Sequence, residues 1–394
     1  MINPTLPDFT LYGAPMSMYS GKVRAYLRKH GIAFQEVMPG DQRFREKIYP
    51  QVKRGIVPVL ELADGRVVQD TVDIIDHFEN HNLGKFSVYP PEPKQRLTAL
   101  ILDLFGSEGL FKVAMHYRWN YLDVNEGFIR YEFGDHAVPG AKPGIVAQVA
   151  EKVMTPMQAY LPLLGINSDT ISAIEDQYLE LLSLLNAHFS EHPYLLGGLP
   201  SVADYGFFAP LYAHLSRDPH PGMLMKQSAQ RVYRWTERMN AANADIPEYG
   251  SYDAAYFPDD EIPSSLQALL ALIGRDFMPE IRQTVLSIDA WLGQNPQLEV
   301  GSCVTAKPRI KSLMPMDYCF RGVTMTGMVM PYRLYMLQRI TDTFAELSAD
   351  VQKDLAEFFD GLGLTELLTM KAQRRVERAG HIEVWGESHY QRHP

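Results

Sequence analysis

A Val57-Pro58 pair opens the run Val59-Leu60-Glu61-Leu62, which breaks at Ala63-Asp64-Gly65 and returns through Arg66-Val67-Val68-Gln69 to Asp70-Thr71. Proline has no amide to give to a strand ladder, so Pro58 belongs at the first residue or on the edge of its strand. Asp-Gly between two apolar runs is a strong hairpin signal. A helix must follow, because Val72, Ile75, Phe78 and Glu79 recur at helical spacing behind a polar pair able to cap exposed amides.

Upstream, Phe9-Thr10-Leu11-Tyr12 is a short β-prone run closed by Gly13 and Pro15. Val23, Tyr26 and Leu27 then repeat helically up to Gly31, and Ile32 to Val37 returns to strand character. Strand, helix, strand, helix, hairpin, helix is the order of an α/β thioredoxin-like domain, expected over residues 1–85. Phe86 to Lys94 holds three prolines, two of them adjacent, and ends that domain.

Beyond the linker the pattern is helical, at Leu97, Leu100, Ile101 and Leu104, at Val149, Val153 and Met157, and at Ile174, Tyr178, Leu181 and Leu185. An all-α domain is expected over 95–243. Ser201 and Asp204 stand three apart before an apolar run, the spacing of a capping box, and predict a helix to about Leu215 buried on most faces. Residues 244–394 form an extension, mainly helical, that packs on the helical domain and the cleft. Its loop 244–263 is rich in Pro, Asp and Tyr, and helical spacing returns at Leu266, Leu269, Leu270 and Ile273. The methionine-rich stretch 314–337 carries Tyr332, Arg333 and Tyr335, with Arg339 just beyond, among apolar positions, so one face can cover the cleft. His381 to Trp385 reads as a strand, and the His-containing end beyond it is expected to fray.

Composition narrows the function classes. A net charge of −10 argues against a broad nucleic-acid-binding face. The stretch Met1 to Thr10 lacks a basic segment followed by an apolar run, and no apolar stretch approaches membrane-spanning length. A soluble, cytoplasmic protein without a membrane partner is expected. Cys303 and Cys319 are too few for a disulfide framework, and their spacing matches no metal-site pattern, so no metal is expected.

The first 80 residues resemble the glutathione-binding domain of the glutathione S-transferase superfamily, and 95–243 resemble its all-helical second domain. The Val-Pro hairpin and the Asp-Thr helix start carry the resemblance together, with the helix introduced by Ser201 and Asp204. His116-Tyr117-Arg118-Trp119 and Pro210 to Leu215 look similar to stretches of larger bacterial members. The resemblance implies a glutathione transferase of detoxification type, a homodimer that binds glutathione as co-substrate and a small apolar, aromatic electrophile. Conjugation, dehalogenation and ether cleavage all remain open.

Only the thiolate of glutathione attacks well, so a hydroxyl donor and amides at a helix N-terminus suit the task. By position, Ser17 of Ser17-Met18-Tyr19-Ser20 is the implied thiolate stabiliser, and helix capping explains it equally. Tyr12 is its rival, with a half-buried strand aromatic as the alternative, and Ser20 and Tyr19 are secondary candidates. The resemblance implies a cis Val57-Pro58 bond that turns the Val57 backbone toward an extended ligand. It implies Asp70 and Thr71 on the γ-glutamyl end, where the family usually has Glu-Ser or Gln-Ser, and Lys53 and Arg54 are in reach of the glycyl carboxylate. His116, Tyr117 and Trp119 are candidates for the electrophile, with core packing as the alternative. The runner-up function is a non-catalytic glutathione-fold protein that binds a ligand or a partner.

Overall fold

The computed structural model describes residues 8–307 and 310–388. β1 (Phe9–Tyr12) runs parallel to β2 (Phe34–Val37) and antiparallel to β3 (Val59–Glu61), and β4 (Val67–Gln69) pairs antiparallel with β3. The sheet order is β2-β1-β3-β4. Parallel β1 and β2 require a crossover, which α1 (Met18–Lys29) supplies. α1 forms where Ser17 accepts the Ser20 amide as its N-cap and where Val23, Tyr26 and Leu27 share a fully buried face. Gly31, at φ +64°, ends it.

Between β2 and β3 a π turn, Phe44–Ile48, runs into the short α2 (Tyr49–Val52), and α3 (Thr71–Asn80) follows β4. Leu11 and Leu60 face the main core, whereas their neighbours Tyr12 and Val59 pack with Phe44, Ile48 and Val52 in a separate small cluster. Strand side chains alternate, so the two clusters lie on opposite faces of the sheet.

The proline-rich linker delivers Pro93 to the first turn of α4 (Pro93–Leu104), where a missing amide costs nothing. A π turn, Phe105–Gly109, leads into α5 (Phe111–Trp119), α6 (Leu122–Ala137), α7 (Pro143–Gln158) and α8 (Ile171–Glu191). α9 (Val202–Ala213) is buried on nearly every face and packs on α1 and α4. Its capping box is complete: the Ser201 side chain and the Asp204 carboxylate each satisfy an amide of the other's turn. α10 (Pro219–Ser228) and α11 (Gln230–Asn240) complete this part.

Residues beyond 243 hold α12 (Ser264–Asp276), α13 (Met278–Gln294), α14 (Pro331–Ala345), α15 (Ala349–Asp360) and α16 (Thr365–Thr369). Two hairpins accompany these helices, β5 (Pro315–Phe320) with β6 (Val323–Met328), and β7 (Arg374–Ala379) with β8 (Ile382–Ser388). The methionine-rich stretch is thus part hairpin and part helix. Met316, Tyr318 and Phe320 alternate inward along β5, and Leu334, Met336, Leu337 and Ile340 form the buried face of α14. α14 packs on α4, α13, α16 and β7.

Its remaining face meets α3. Tyr332, Tyr335 and Arg339 donate to Asp70, Asp73 and Asp76 at 2.8, 3.0 and 3.0 Å, so an α14 row spaced three and four meets an α3 row spaced three and three, rung by rung. Cys303 and Cys319 are both unpaired. No described helix is long and apolar enough to cross a membrane. The stretch His389 to Pro394 lies outside the described residues.

Candidate active site

Strand register brings the first domain's candidate groups to one end of the sheet. Tyr12 pairs with Val59 and Val59 with Gln69, so the chain leaving β1, the chain entering β3 and the chain leaving β4 share that edge. Ser17 follows β1, Val57-Pro58 precedes β3, and Asp70-Thr71 follows β4. The Val57-Pro58 bond is cis. Among the described residues, the N–H and C=O of Val57 make no hydrogen bond to backbone. That leaves them able to pair with an extended peptide.

Ser17 is half-buried, and its Oγ accepts the Ser20 amide at 3.3 Å. Accepting that bond leaves the hydroxyl proton free to be donated elsewhere. The loop before it is held by Arg118, which donates to the Met16 carbonyl at 3.4 Å while pairing with Asp218 through two nitrogens at 2.7 and 2.8 Å. Tyr12 is fully buried and donates to Glu61 at 2.8 Å on the other face of the sheet. Burial, then Glu61, raises its phenol pKa. Ser20 is buried, with its hydroxyl against Gly13, where an added Cβ would meet it at 2.9 Å.

Asp70, not Thr71, caps α3. It adopts φ +95°, a region that non-glycine residues rarely enter, and its Oδ1 accepts the Val72 amide at 3.0 Å. Thr71 is buried as the first residue of the helix. Lys53 is exposed, in a left-handed conformation that ends α2. Arg54 is buried and donates through Nη1 and Nη2 to the Glu383 carboxylate at 3.0 and 2.6 Å. Asp70 is likewise engaged from the extension, by the Tyr332 hydroxyl and by Arg378 at 3.2 Å. Burial alone would raise the Glu383 pKa, but the Arg54 hydrogen bonds and the Arg378 charge hold it below the ordinary range.

From Tyr19 in α1, two residues after Ser17, a chain of mostly buried polar groups runs into the helical domain and the extension. Tyr19 donates to Glu108 at 3.1 Å, Glu108 lies 3.8 Å from Arg333, Arg333 donates to Glu280 at 2.5 Å, and Glu280 accepts Lys112 at 2.7 Å. Burial raises the Glu108 carboxyl above its usual range against the opposing Arg333 charge. Glu108 sits in the Phe105–Gly109 π turn, a distortion often found at functional sites. Beside it Lys22, fully buried, reaches Asp103 at 2.5 Å and Ser107 at 3.1 Å.

His116, Tyr117 and Trp119 lie elsewhere, in the interior of the helical domain. His116 meets Glu175 at 2.9 Å, Tyr117 stacks on Tyr121, and Trp119 packs on Phe133. Sequence reasoning passed over Glu108, Glu280, Arg378 and Glu383. Glu383, a charge between the apolar Ile382 and Val384 of a strand, carries a visible signal; Arg378, in the largely charged run Arg374 to Arg378, carries none.

Residues 11–85 match the family model of the glutathione S-transferase N-terminal domain, and residues 154–243 match that of its C-terminal domain. Among solved structures, the chain is similar to the beta-etherase LigF from Sphingobium sp. strain SYK-6, at 20% identity over 61% of this chain and 98% of that one, with a TM-score of 0.37. A glutathione S-transferase from Rhodospirillum rubrum F11 shares 15% identity over 66% of this chain and 97% of its own, with a TM-score of 0.36. FzlA from C. crescentus shares 17% identity over 66% and 97%, with a TM-score of 0.35. No curated protein matches the sequence. On the strength of its two domain matches, joined to a thioredoxin-like sheet and a helical second domain, the chain belongs to the glutathione S-transferase superfamily.

Proposed function

We propose that the protein is a glutathione-dependent transferase in which the Ser17 hydroxyl stabilises the glutathione thiolate for attack on an aromatic electrophile. The observation that carries this reading is the placement of Ser17 at the N-terminus of α1, its hydroxyl donating to none of the described residues, on the same sheet end as a Val57 backbone that none of the described backbone pairs with. A helix N-terminus favours an anion, and a hydroxyl donor adds a directed hydrogen bond to it. In the reaction the sulfur–carbon bond forms with the thiolate pair, and in dehalogenation or ether cleavage the leaving group departs with the electrons of the bond that breaks. Arg118 acts as a positioning residue through the Met16 carbonyl. Homodimer formation and a cytoplasmic setting belong to the same reading, supported by family membership.

A second reading is a glutathione-fold protein without catalysis. It is favoured by the pairing of Arg54 with Glu383 and of Asp70 with Tyr332 and Arg378, which in this conformation commits both charged groups to the protein itself. Ultraviolet difference spectra separate the two. The enzyme shows a thiolate band on glutathione binding that disappears in Ser17→Ala, whereas a binding protein retains glutathione with no such band.

A further inference from the structure

Most of the β7–β8 hairpin is anchored conventionally. Val376 and Trp385 are buried, Trp385 stacks on Trp291 with ring centroids 5.8 Å apart, and the Gln338 side chain of α14 bonds both the N–H and the C=O of Val376. The tip differs. There Arg378 faces Glu383 across the ladder around Gly380-His381, with Gly380 at φ +61° and Ala379 and Gly380 exposed.

The tip is inserted between the two charged groups of the sheet end. Arg378 lies 3.2 Å from Asp70 and 3.4 Å from Asp73, and it donates to Glu383 at 2.7 Å. Glu383 in turn takes both terminal nitrogens of Arg54, and the His381 carbonyl accepts Arg54 at 3.0 Å. Charges therefore alternate across the site in the order Asp70, Arg378, Glu383, Arg54. A thiol tripeptide with an ammonium and a carboxylate at one end and a carboxylate at the other presents the same complement. Its ammonium suits Asp70 as the Arg378 guanidinium does, and a carboxylate suits Arg54 as Glu383 does.

We propose that the Arg378–Glu383 tip is an internal pseudo-ligand, an autoinhibitory contact that glutathione must displace to occupy the site. The inference rests on the glutathione reading above. Arg54 and Asp70 cannot hold the tip and the tripeptide in the same geometry, because the same oxygens and nitrogens serve both. The exchange replaces ion pairs with ion pairs, so neither Asp70 nor Arg54 is left as an isolated buried charge, the arrangement that costs most. The anchored part of the hairpin, around Val376 and Trp385, need not move for the tip to lift. Binding energy spent on displacing the tip lowers apparent affinity by the fraction of molecules with the tip open.

Two measurements on the full chain test this. In hydrogen exchange of the unmutated protein, saturating glutathione should speed exchange of amides in 377–383 while those of the sheet and α3 slow. In titration calorimetry, Glu383→Gln and Arg378→Gln should each bind glutathione about tenfold or more tightly than the unmutated protein. With γ-glutamylcysteine, which lacks the glycyl carboxylate, only Arg378→Gln should retain the gain. Equal affinities, with unchanged exchange at the tip under saturating glutathione, overturn the pseudo-ligand and leave the transferase reading intact. If no form of the protein binds glutathione, the transferase reading fails and the pseudo-ligand falls with it. The exchange measurement needs no substitution, so a variant that folds poorly does not remove the test.

Discussion

Arg54 and Glu383, 329 residues apart in sequence, form a two-pronged ion pair that ties the loop before β3 to the tip of the β7–β8 hairpin. The side chains are 5% and 11% exposed, so the pair has given up most of its hydration, and a buried pair of this kind contributes little net stability over an apolar equivalent. What it does supply is specificity of placement. Together with the α3–α14 ladder it fixes the extension against the one sheet end where the candidate catalytic groups converge.

Ser17→Ala should lower turnover of a generic aromatic electrophile by about ten- to a thousandfold, the range for losing one anion-stabilising donor, while the glutathione dissociation constant stays nearly unchanged. It should also cost about 1 kcal/mol of stability through the lost cap. Tyr12→Phe is the control. Its phenol is committed to Glu61 on the far face of the sheet, so the rate should hold. A rate unaffected by Ser17→Ala would remove the hydroxyl from the mechanism.

The first domain is legible in the sequence because short-range chemistry decides it. Asp64-Gly65 forces the hairpin, and Ser17 caps α1. The site is less legible because its partners are remote. Arg54 reads as a solvent-exposed charge until Glu383 is brought beside it, and nothing local to either residue announces the other. His116 and Tyr117 touch edge to face and both meet Tyr121, while Trp119 turns to Phe133, so these rings are spent on one another and on the core. Either member of the Asp70-Thr71 pair can cap by sequence, and in the structure Asp70, at positive φ, takes the role.

Glu280 neutralises two cations at once, Lys112 and Arg333, both about 4% exposed. Glu280→Ala should therefore destabilise by about 3–5 kcal/mol, the range for leaving buried charge uncompensated. Glu280→Gln keeps the acceptor oxygen and should lose less. Urea denaturation followed by circular dichroism reads both, and equal losses in the two variants would show that packing, not charge, is the cause.

Asp204 accepts the Leu195 and Ser201 amides at 3.0 and 2.9 Å and the Trp235 indole at 3.2 Å. Asp204→Ala orphans these donors in the centre of the helical domain and should cost about 2–4 kcal/mol, the sum of a lost cap and unsatisfied buried groups. Asp204→Asn retains one acceptor oxygen and should recover part of the loss. A thermal midpoint unchanged in Asp204→Ala would mean that water replaces the carboxylate at all three donors.

Asp73 links the α3–α14 ladder to pH. Burial, opposed by Arg378 and reinforced by the neighbouring Asp70, raises its carboxyl pKa to about 6. Because the folded protein holds this proton more tightly than the unfolded chain, the associated stability is fully present below about pH 3.9 and is lost as pH rises through 6. Asp73→Asn keeps an acceptor for the Tyr335 hydroxyl and removes the titration. The difference in unfolding free energy between the variant and the unmutated protein should thus rise in favour of the variant between about pH 4 and pH 6.5, by on the order of 2 kcal/mol, and stay flat above that. Subtracting the two curves cancels the Asp204 carboxyl, which burial also raises to about 6. A pH-independent difference would place the proton on another member of the ladder.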